Sequence, residues 1–538
     1  MAYKNILFDS KAREKLLRGT EALADAVRVT LGPKSKSVLL QRKWGGPLVC
    51  NDGVTIAREV RLKDPEEDLG AQMIRQAAEK TGDSVGDGTT TATLLAHAIF
   101  AEGLRNVAAG ASAVDLRHGI DEGLEVAVKA LENLSRPVKT SREKEQVATI
   151  SAHNDPSIGA LVAQAMERVG EDGAITVEES RTTETTLDVV EGLQFDRGYI
   201  SPYFVTDMEN LSCELEQPYI LLHERKLSNL RPLVPLLEAL VQQDASVFVI
   251  AEDVDGDALA TLVVNKLRGG MRVAAAKAPG FGERRRAILE DIAIVTGGLL
   301  ISEDVGIKFE NVTVEQLGRA DRVVCNRDTT TIVGGQGGKE DIKARIAQIR
   351  NQIKDTTGDY DREKLEERLA KLSGGVAVIR VGAPTETDLK NRKEALDDAI
   401  SATKAAVDEG VVPGGGLALV RCIEDVERAA VSAEGDRRTG LRILAAALSA
   451  PARQIAENSA VDGGVVVAEL RKGKGSLGFD AARKEYVDLV EAGIIDPTKV
   501  VRIALENAVS VAGTLLLTDA TMTEVEEEKD KEPGMPME

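Results

Sequence analysis

The sequence predicts a multidomain protein, all-α toward its two ends and α/β in its middle. Three observations carry this. The chain has 538 residues, more than one hydrophobic core ordinarily fills. Apolar residues recur at helical spacing from Asn5 to Arg28, from Asp68 to Lys80 and from Thr89 to Ala108. From Gly192 onward, short apolar runs alternate with helical stretches, the signature of an α/β layer.

In chain order, Val38 to Leu40 and Leu48 to Val49 read as short strands around a Gly45-Gly46-Pro47 turn. After Pro137 the character changes. Val147 to Ile150 closes at Ser151, and Ile158 to Val169 reads as a helix ending at the turn Glu171-Asp172-Gly173. Strands are expected at Tyr219 to Leu222, Val247 to Ile250, Val273 to Ala276 and Ile292 to Val295. One charged helix from Glu340 to Lys371, a strand from Val376 to Val381 and a helix from Thr387 to Glu409 follow. Gly414-Gly415-Gly416 then opens a second helical region, and the acidic, Pro/Gly-containing stretch 524–538 reads as disordered.

A formal charge of −20, with no long Lys/Arg run, argues against a nucleic-acid binder. Cys50, Cys213, Cys325 and Cys422 are far apart and form no CxxC pair. Neither a zinc cluster nor a disulfide framework is indicated, and a reducing, cytoplasmic setting is expected. Met1 to Ser10 lack a signal-peptide pattern, and no run reaches membrane-spanning length free of charges or breakers, so no membrane segment is expected.

The stretch with the most chemistry is Gly86-Asp87-Gly88-Thr89-Thr90-Thr91. Its glycines let the backbone approach a phosphate chain, and amide and hydroxyl donors follow at a helix N-terminus. Asp87 supplies the carboxylate that a magnesium ion needs beside such phosphates. An ordinary turn before a Thr-rich helix would use the same residue types. Thr30-Leu31-Gly32-Pro33-Lys34 and Asn51-Asp52-Gly53 each read alone as structural turns, and Asp398 alone as a solvated helix charge. A carboxylate such as Asp398 could nonetheless orient the water that attacks a terminal phosphorus. Gly334 to Lys339 lacks the hydroxyl residue a phosphate loop carries after its lysine, and Gly280-Phe281-Gly282 is an incomplete glycine fingerprint. Both read as turns.

Taken in order, Thr30 to Lys34, Asp52-Gly53, Gly86 to Thr91, Asp398 and Gly414 to Gly416 closely resemble the bacterial class I, GroEL-like chaperonin family, from about Asn5 to Thr523. The resemblance implies a helical equatorial domain from 1–136 and 410–523, a small intermediate domain from 137–191 and 375–409, an α/β apical domain from 192–374 and a flexible tail. It implies ATP hydrolysis with Mg2+ and K+. It also implies seven-membered rings of identical subunits, two of them stacked, a small co-chaperonin lid, and non-native protein clients that are captured, enclosed and released.

By the same resemblance, Asp87 holds magnesium, Asp398 positions water and Asp52 lies beside the phosphates. Thr30, Leu31, Gly32, Pro33, Gly88, Thr89, Thr90, Thr91, Ile150, Ser151 and Gly415 match the nucleotide pocket. Asp480, Ala481, Ala482 and Asp496 match its adenosine end, where Asp480 departs from the asparagine of the best-known pattern. Tyr199, Tyr203, Phe204, Leu230, Val234, Leu237, Leu259, Val263 and Val264 match the client- and lid-binding face. Pro137, Gly192, Gly375 and Gly410 match hinges, and Arg197 with Glu386 matches an apical-to-intermediate ion pair. Periodicity alone assigns the stripes Leu230/Val234/Leu237/Val241 and Leu259/Val263/Leu267 to a buried core. A small-molecule kinase and a nonenzymatic protein-binding ring are the competing readings. Phosphorylated product without stimulation by unfolded protein marks the first, and absence of magnesium-dependent phosphate release marks the second.

Overall fold

The computed structural model describes residues 4–524 apart from 42–46, 153, 171–172, 181, 209–210, 303–308, 310–311 and 356–358. The chain divides into two compact units, one from 1–163 with 394–538 and one from 164–393.

The first unit is helical because its helices carry apolar stripes that only other helices cover. Helix Asp9–Arg28 packs on Pro65–Val85, Thr89–Ala108 on Thr498–Leu517, and Ala113–Leu134 on Gly435–Ala447. Gly19 and Gly70 allow the first of these crossings, since a Cβ on Gly19 would sit 1.7 Å from Glu67 O and one on Gly70 2.2 Å from Leu16 O. Helix Thr498–Leu517 is long and apolar enough to cross a membrane, yet Val500, Ala504, Leu505, Ala508, Val511 and Leu515 are buried among its neighbours. The expected N-terminal helix is shorter than periodicity suggests. Residues Lys4–Phe8 form a strand paired antiparallel with Ala520–Glu524, which joins the two ends of the chain.

The second unit is built on an eight-stranded mixed sheet. Its path runs Arg272–Lys277, Ser246–Ala251, Tyr219–His223, Gly318–Cys325, Thr330–Gly335 and Gly192–Phe195. The first three strands are parallel and linked through helices, as right-handed crossovers require, and Ser246–Ala251 is buried on both faces. A smaller sheet centres on Val376–Val381 between Ala174–Glu179 and Thr186–Val190.

Two expectations are corrected here. Ile292 to Val295 is not a strand but the end of helix Gly282–Thr296, where Leu289, Ile292, Ala293 and Val295 form its buried side. The charged stretch from Glu340 is two helices, Lys339–Asp355 and Asp359–Gly374, whose junction falls outside the described residues. They are held to the unit's core by buried Asp291, which pairs with Arg345 at 2.7 Å and Arg368 at 2.7 Å. The Gly45-Gly46 turn, the Glu171-Asp172 turn and the tail beyond Glu524 also lie outside the described residues.

Candidate functional site

A cavity of about 280 Å³ in the first unit gathers nearly every residue assigned to phosphate chemistry from sequence. Thr30, Leu31, Gly32, Pro33, Asp52, Asp87, Gly88, Thr89, Thr90, Thr91, Ile150, Ser151, Asp398, Gly415, Asp480, Ala481, Ala482 and Asp496 all line it.

Its polar end is a pair of helix N-termini. Gly86 ends helix Pro65–Val85 at φ 70°, Asp87 follows, and Gly88 at φ 82° opens helix Thr89–Ala108 with no side chain capping it. Across the cavity, Gly416 at φ 73° opens helix Leu417–Ser432, also without a side-chain cap. Free N–H groups and the positive ends of two helix dipoles therefore face one space, the physical requirement for holding an anion. Among the described residues the Thr89 and Thr91 hydroxyls take no hydrogen-bond partner, whereas Thr30 Oγ1 donates to Val27 O at 2.9 Å and lies 3.3 Å from Thr90 Oγ1. A Cβ on Gly415 would meet nothing nearer than 3.8 Å, so its bare face is open.

Carboxylates surround that anion cradle. Asp87 Oδ2 accepts the Ser151 hydroxyl at 2.8 Å, and its Oδ1 accepts the Gly88 N–H. Asp52 caps helix Gly53–Glu59 by accepting Thr55 N–H at 2.6 Å, so its turn role and its place in the cavity coexist. Burial, with the charges of Asp87 and Asp52 next, pushes Asp398 well above the usual carboxylate range. Burial and then Asp87 push Asp496 up to about 7. Glu394, which accepts from Thr55 Oγ1 at 3.3 Å, is raised to about 7 by burial and by Asp52. Such crowded acids need a cation beside them to stay ionised together. An oxygen-rich donor set of this kind suits a hard divalent ion such as Mg2+.

The other end is apolar, with Pro451, Ile455, Phe479 and Ile494 beside Ala481 and Ala482. Sequence reading passed over Pro451, Ile455, Phe479 and Asn154, because a lone apolar or amide side chain carries no signal until the fold brings it to a pocket. Asp480 is buried at 5 % exposure, and its Oδ1 accepts the backbone N–H groups of Ala482 at 2.9 Å and Arg483 at 3.2 Å. An amide oxygen would serve that turn equally, so the aspartate is accommodated without a change of backbone.

The residues matched to a client face lie in the second unit and divide by exposure. Tyr203 is 63 % exposed, Val234 42 % and Val264 42 %, while Tyr199, Leu259 and Val263 are half-buried. Phe204, Leu230 and Leu237 pack into that unit's core, at 0 %, 4 % and 8 % exposure. Val241 and Leu267 of the same stripes are exposed. The Arg197 guanidinium lies over the Phe281 ring at 5.9 Å, and among the described residues it makes no ion pair with Glu386. Of the hinge positions, Gly375 and Gly410 adopt φ 66° and 80°, Gly192 backs onto Ile332 O, and Pro137 follows the Arg136–Val411 bridge.

The sequence of this chain matches the TCP-1/cpn60 chaperonin family over residues 23–526. It belongs to that family, on its GroEL-like class I side. It is similar to "Chaperonin GroEL 5" of Bradyrhizobium diazoefficiens, with 65 % identity over 529 residues and 98 % of each chain covered. Membership brings the family's general function, ATP-dependent assistance of protein folding, with ATP hydrolysis and the ATP and Mg2+ use typical of chaperonins.

Proposed function

We propose that the cavity between the Thr89 and Leu417 helix starts binds ATP and that its hydrolysis times the capture, enclosure and release of non-native proteins. The observation that carries the reading is the convergence of two uncapped helix N-termini with Asp52, Asp87, Asp398 and Asp496 around one space. In it, the N–H groups of Thr89 to Thr91 and of Gly415 hold the phosphates, Gly88 leaves them room to approach, and Thr30 to Pro33 close over them. Ala481, Ala482 and Ile494 face the base, with Asp480 fixing the turn that presents them.

Asp87 would hold Mg2+, which when bound offsets charge on the phosphates. Ser151 fixes the rotamer of Asp87. Asp398 orients a water toward the terminal phosphorus and accepts its proton as the new P–O bond forms and the bridging P–O bond breaks. Asp52 stays fixed by its cap beside the phosphates. K+ is assigned with Mg2+ on the family likeness.

The reading extends to a three-domain subunit in seven-membered rings, two of them stacked, closed by a small co-chaperonin. Tyr203, Val234 and Val264 offer clients apolar surface, with Tyr199, Leu259 and Val263 beside them. Hydrophobic attraction is non-directional, which suits a face that must accept many sequences. Pro137, Gly192, Gly375 and Gly410 are the proposed places where the backbone turns as the domains move. Electron microscopy of the purified protein with and without Mg-ATP and a co-chaperonin tests this. Seven-membered rings that gain a lid only with nucleotide support it, and a monomer indifferent to nucleotide refutes it.

A further inference from the structure

Cys213 and Cys325 stand directly opposite each other across the antiparallel ladder of strands Cys213–Glu216 and Gly318–Cys325. Opposite residues in such a pair project to the same side of the sheet with Cβ atoms about 4.5–5.5 Å apart, near the roughly 3.5–4.5 Å a disulfide needs. Both are free thiols, at 1 % and 0 % exposure. Cys50 and Cys422, the other two cysteines, are also buried, but neither faces another cysteine in a ladder.

Their surroundings differ. Burial pushes Cys213 up to about 11, opposed by the Lys266 ammonium, which also donates to Tyr203 O and Val205 O at 2.8 Å each. Burial pushes Cys325 up to about 12, opposed by the Thr330 hydroxyl that donates to its Sγ at 3.1 Å. Among the described residues, strand Cys213–Glu216 has a single ladder partner, so it is an edge strand. Edge strands open at lower free energy than central ones, and opening here brings Cys213 to solvent first.

We propose that Cys213 and Cys325 are a site of reversible oxidation, joined as a cross-strand disulfide by hydrogen peroxide. The Cys213 thiolate attacks one peroxide oxygen, the O–O bond breaks, and a sulfenic acid forms while the departing hydroxide takes the thiol's proton as water. Cys325 sulfur then attacks the sulfenic sulfur, the S–O bond breaks, and hydroxide leaves with the second thiol proton as another water. The two thiols lose two electrons and the peroxide gains them. A dithiol reductant reverses the exchange. Cytosolic disulfides, where they occur, are characteristically of this transient kind. The bond fastens the edge strand to the sheet, and with it the preceding stretch that exposes Tyr203 and Leu211.

The test is peroxide treatment of the intact wild-type protein, alkylation, non-reducing digestion and mass spectrometry, with hydrogen exchange on both forms. The expected result is a peptide pair linked through Cys213 and Cys325, reversed by dithiothreitol, with Cys50 and Cys422 alkylated only after unfolding. Exchange across 213–216 should slow severalfold in the oxidised form. Cys325→Ala should abolish the link and trap Cys213 as a sulfenic acid. The proposal is overturned if the folded protein keeps both thiols, if Cys213 oxidises alone while wild-type Cys325 stays a thiol, or if the link forms only in urea.

Discussion

Ser151 Oγ donates a 2.8 Å hydrogen bond to Asp87 Oδ2, tying the end of helix Ser141–Ser151 to the carboxylate between two left-handed glycines. The bond fixes which way Asp87 presents its oxygens. Ser151→Ala should therefore leave the fold intact but raise the Mg2+ concentration for half-maximal ATP hydrolysis about tenfold, the usual scale for losing an orienting partner. A magnesium titration of phosphate release checks this; an unchanged midpoint contradicts it.

The cavity glycines should separate stability from binding. A Cβ on Gly88 would lie 2.8 Å from Val500 Cγ1 at φ 82°, whereas one on Gly415, at φ 62°, meets nothing within 3.8 Å. Gly88→Ala should destabilise the first unit by about 2–3 kcal/mol through strain and overlap. Gly415→Ala should cost only about 1 kcal/mol and weaken nucleotide binding by occupying the cradle. Urea unfolding and calorimetric nucleotide titration of both variants distinguish the two effects.

Glu394 gives the protein a predictable pH dependence. Its carboxyl is raised from 4.5 to about 7 by burial and by Asp52, so the folded state holds a proton that the unfolded chain has released. The stability this contributes is full below about 4.5 and is lost as pH rises through 7. Glu394→Gln keeps the acceptor for Thr55 and removes the titration. The variant should gain on the order of 2 kcal/mol over wild type at pH 8 and show little difference near pH 4. Equal shifts at both pH values in denaturant unfolding would show that Glu394 does not titrate as its burial requires.

On the second unit, exposure predicts which substitutions report on client capture. Val234→Ser and Val264→Ser alter side chains 42 % exposed and should weaken binding of unfolded proteins with stability changed by less than about 0.5 kcal/mol. Phe204→Ala, at 0 % exposure, should instead destabilise the unit by about 3–5 kcal/mol. Fluorescence binding of several unrelated unfolded proteins, alongside thermal unfolding, checks both. Unaltered capture by both valine variants would remove this face from the reading.

Helix Thr89–Ala108 was legible to the residue, because glycine punctuation and a long apolar period coincide there. The end of the cavity lined by Gly86 to Thr91 was legible for the same reason, because its glycine and hydroxyl residues stand in one short run. Ile292 to Val295 misled because a β-branched run on the buried side of a helix looks like a strand over so short a window. The strand Lys4–Phe8 was hidden because its partner is Ala520–Glu524, at the far end of the chain. Leu230 and Leu237 lie in the core to which helical spacing alone assigns them, while Val234 and Val241 of the same stripe stay exposed, because spacing marks an apolar face without fixing how far round the helix its neighbours reach. Pro451, Ile455 and Phe479 became site residues only through folding.

The most direct test of the central claim is single-turnover phosphate release by Asp398→Ala at saturating Mg-ATP, with nucleotide binding measured on the same sample. Asp398 lines the cavity, and burial with the charges of Asp87 and Asp52 makes it a stronger base than a solvated carboxylate. The account predicts that ATP still binds while release falls at least about a hundredfold, the contribution a positioned base ordinarily makes. Wild-type turnover in that variant would contradict it.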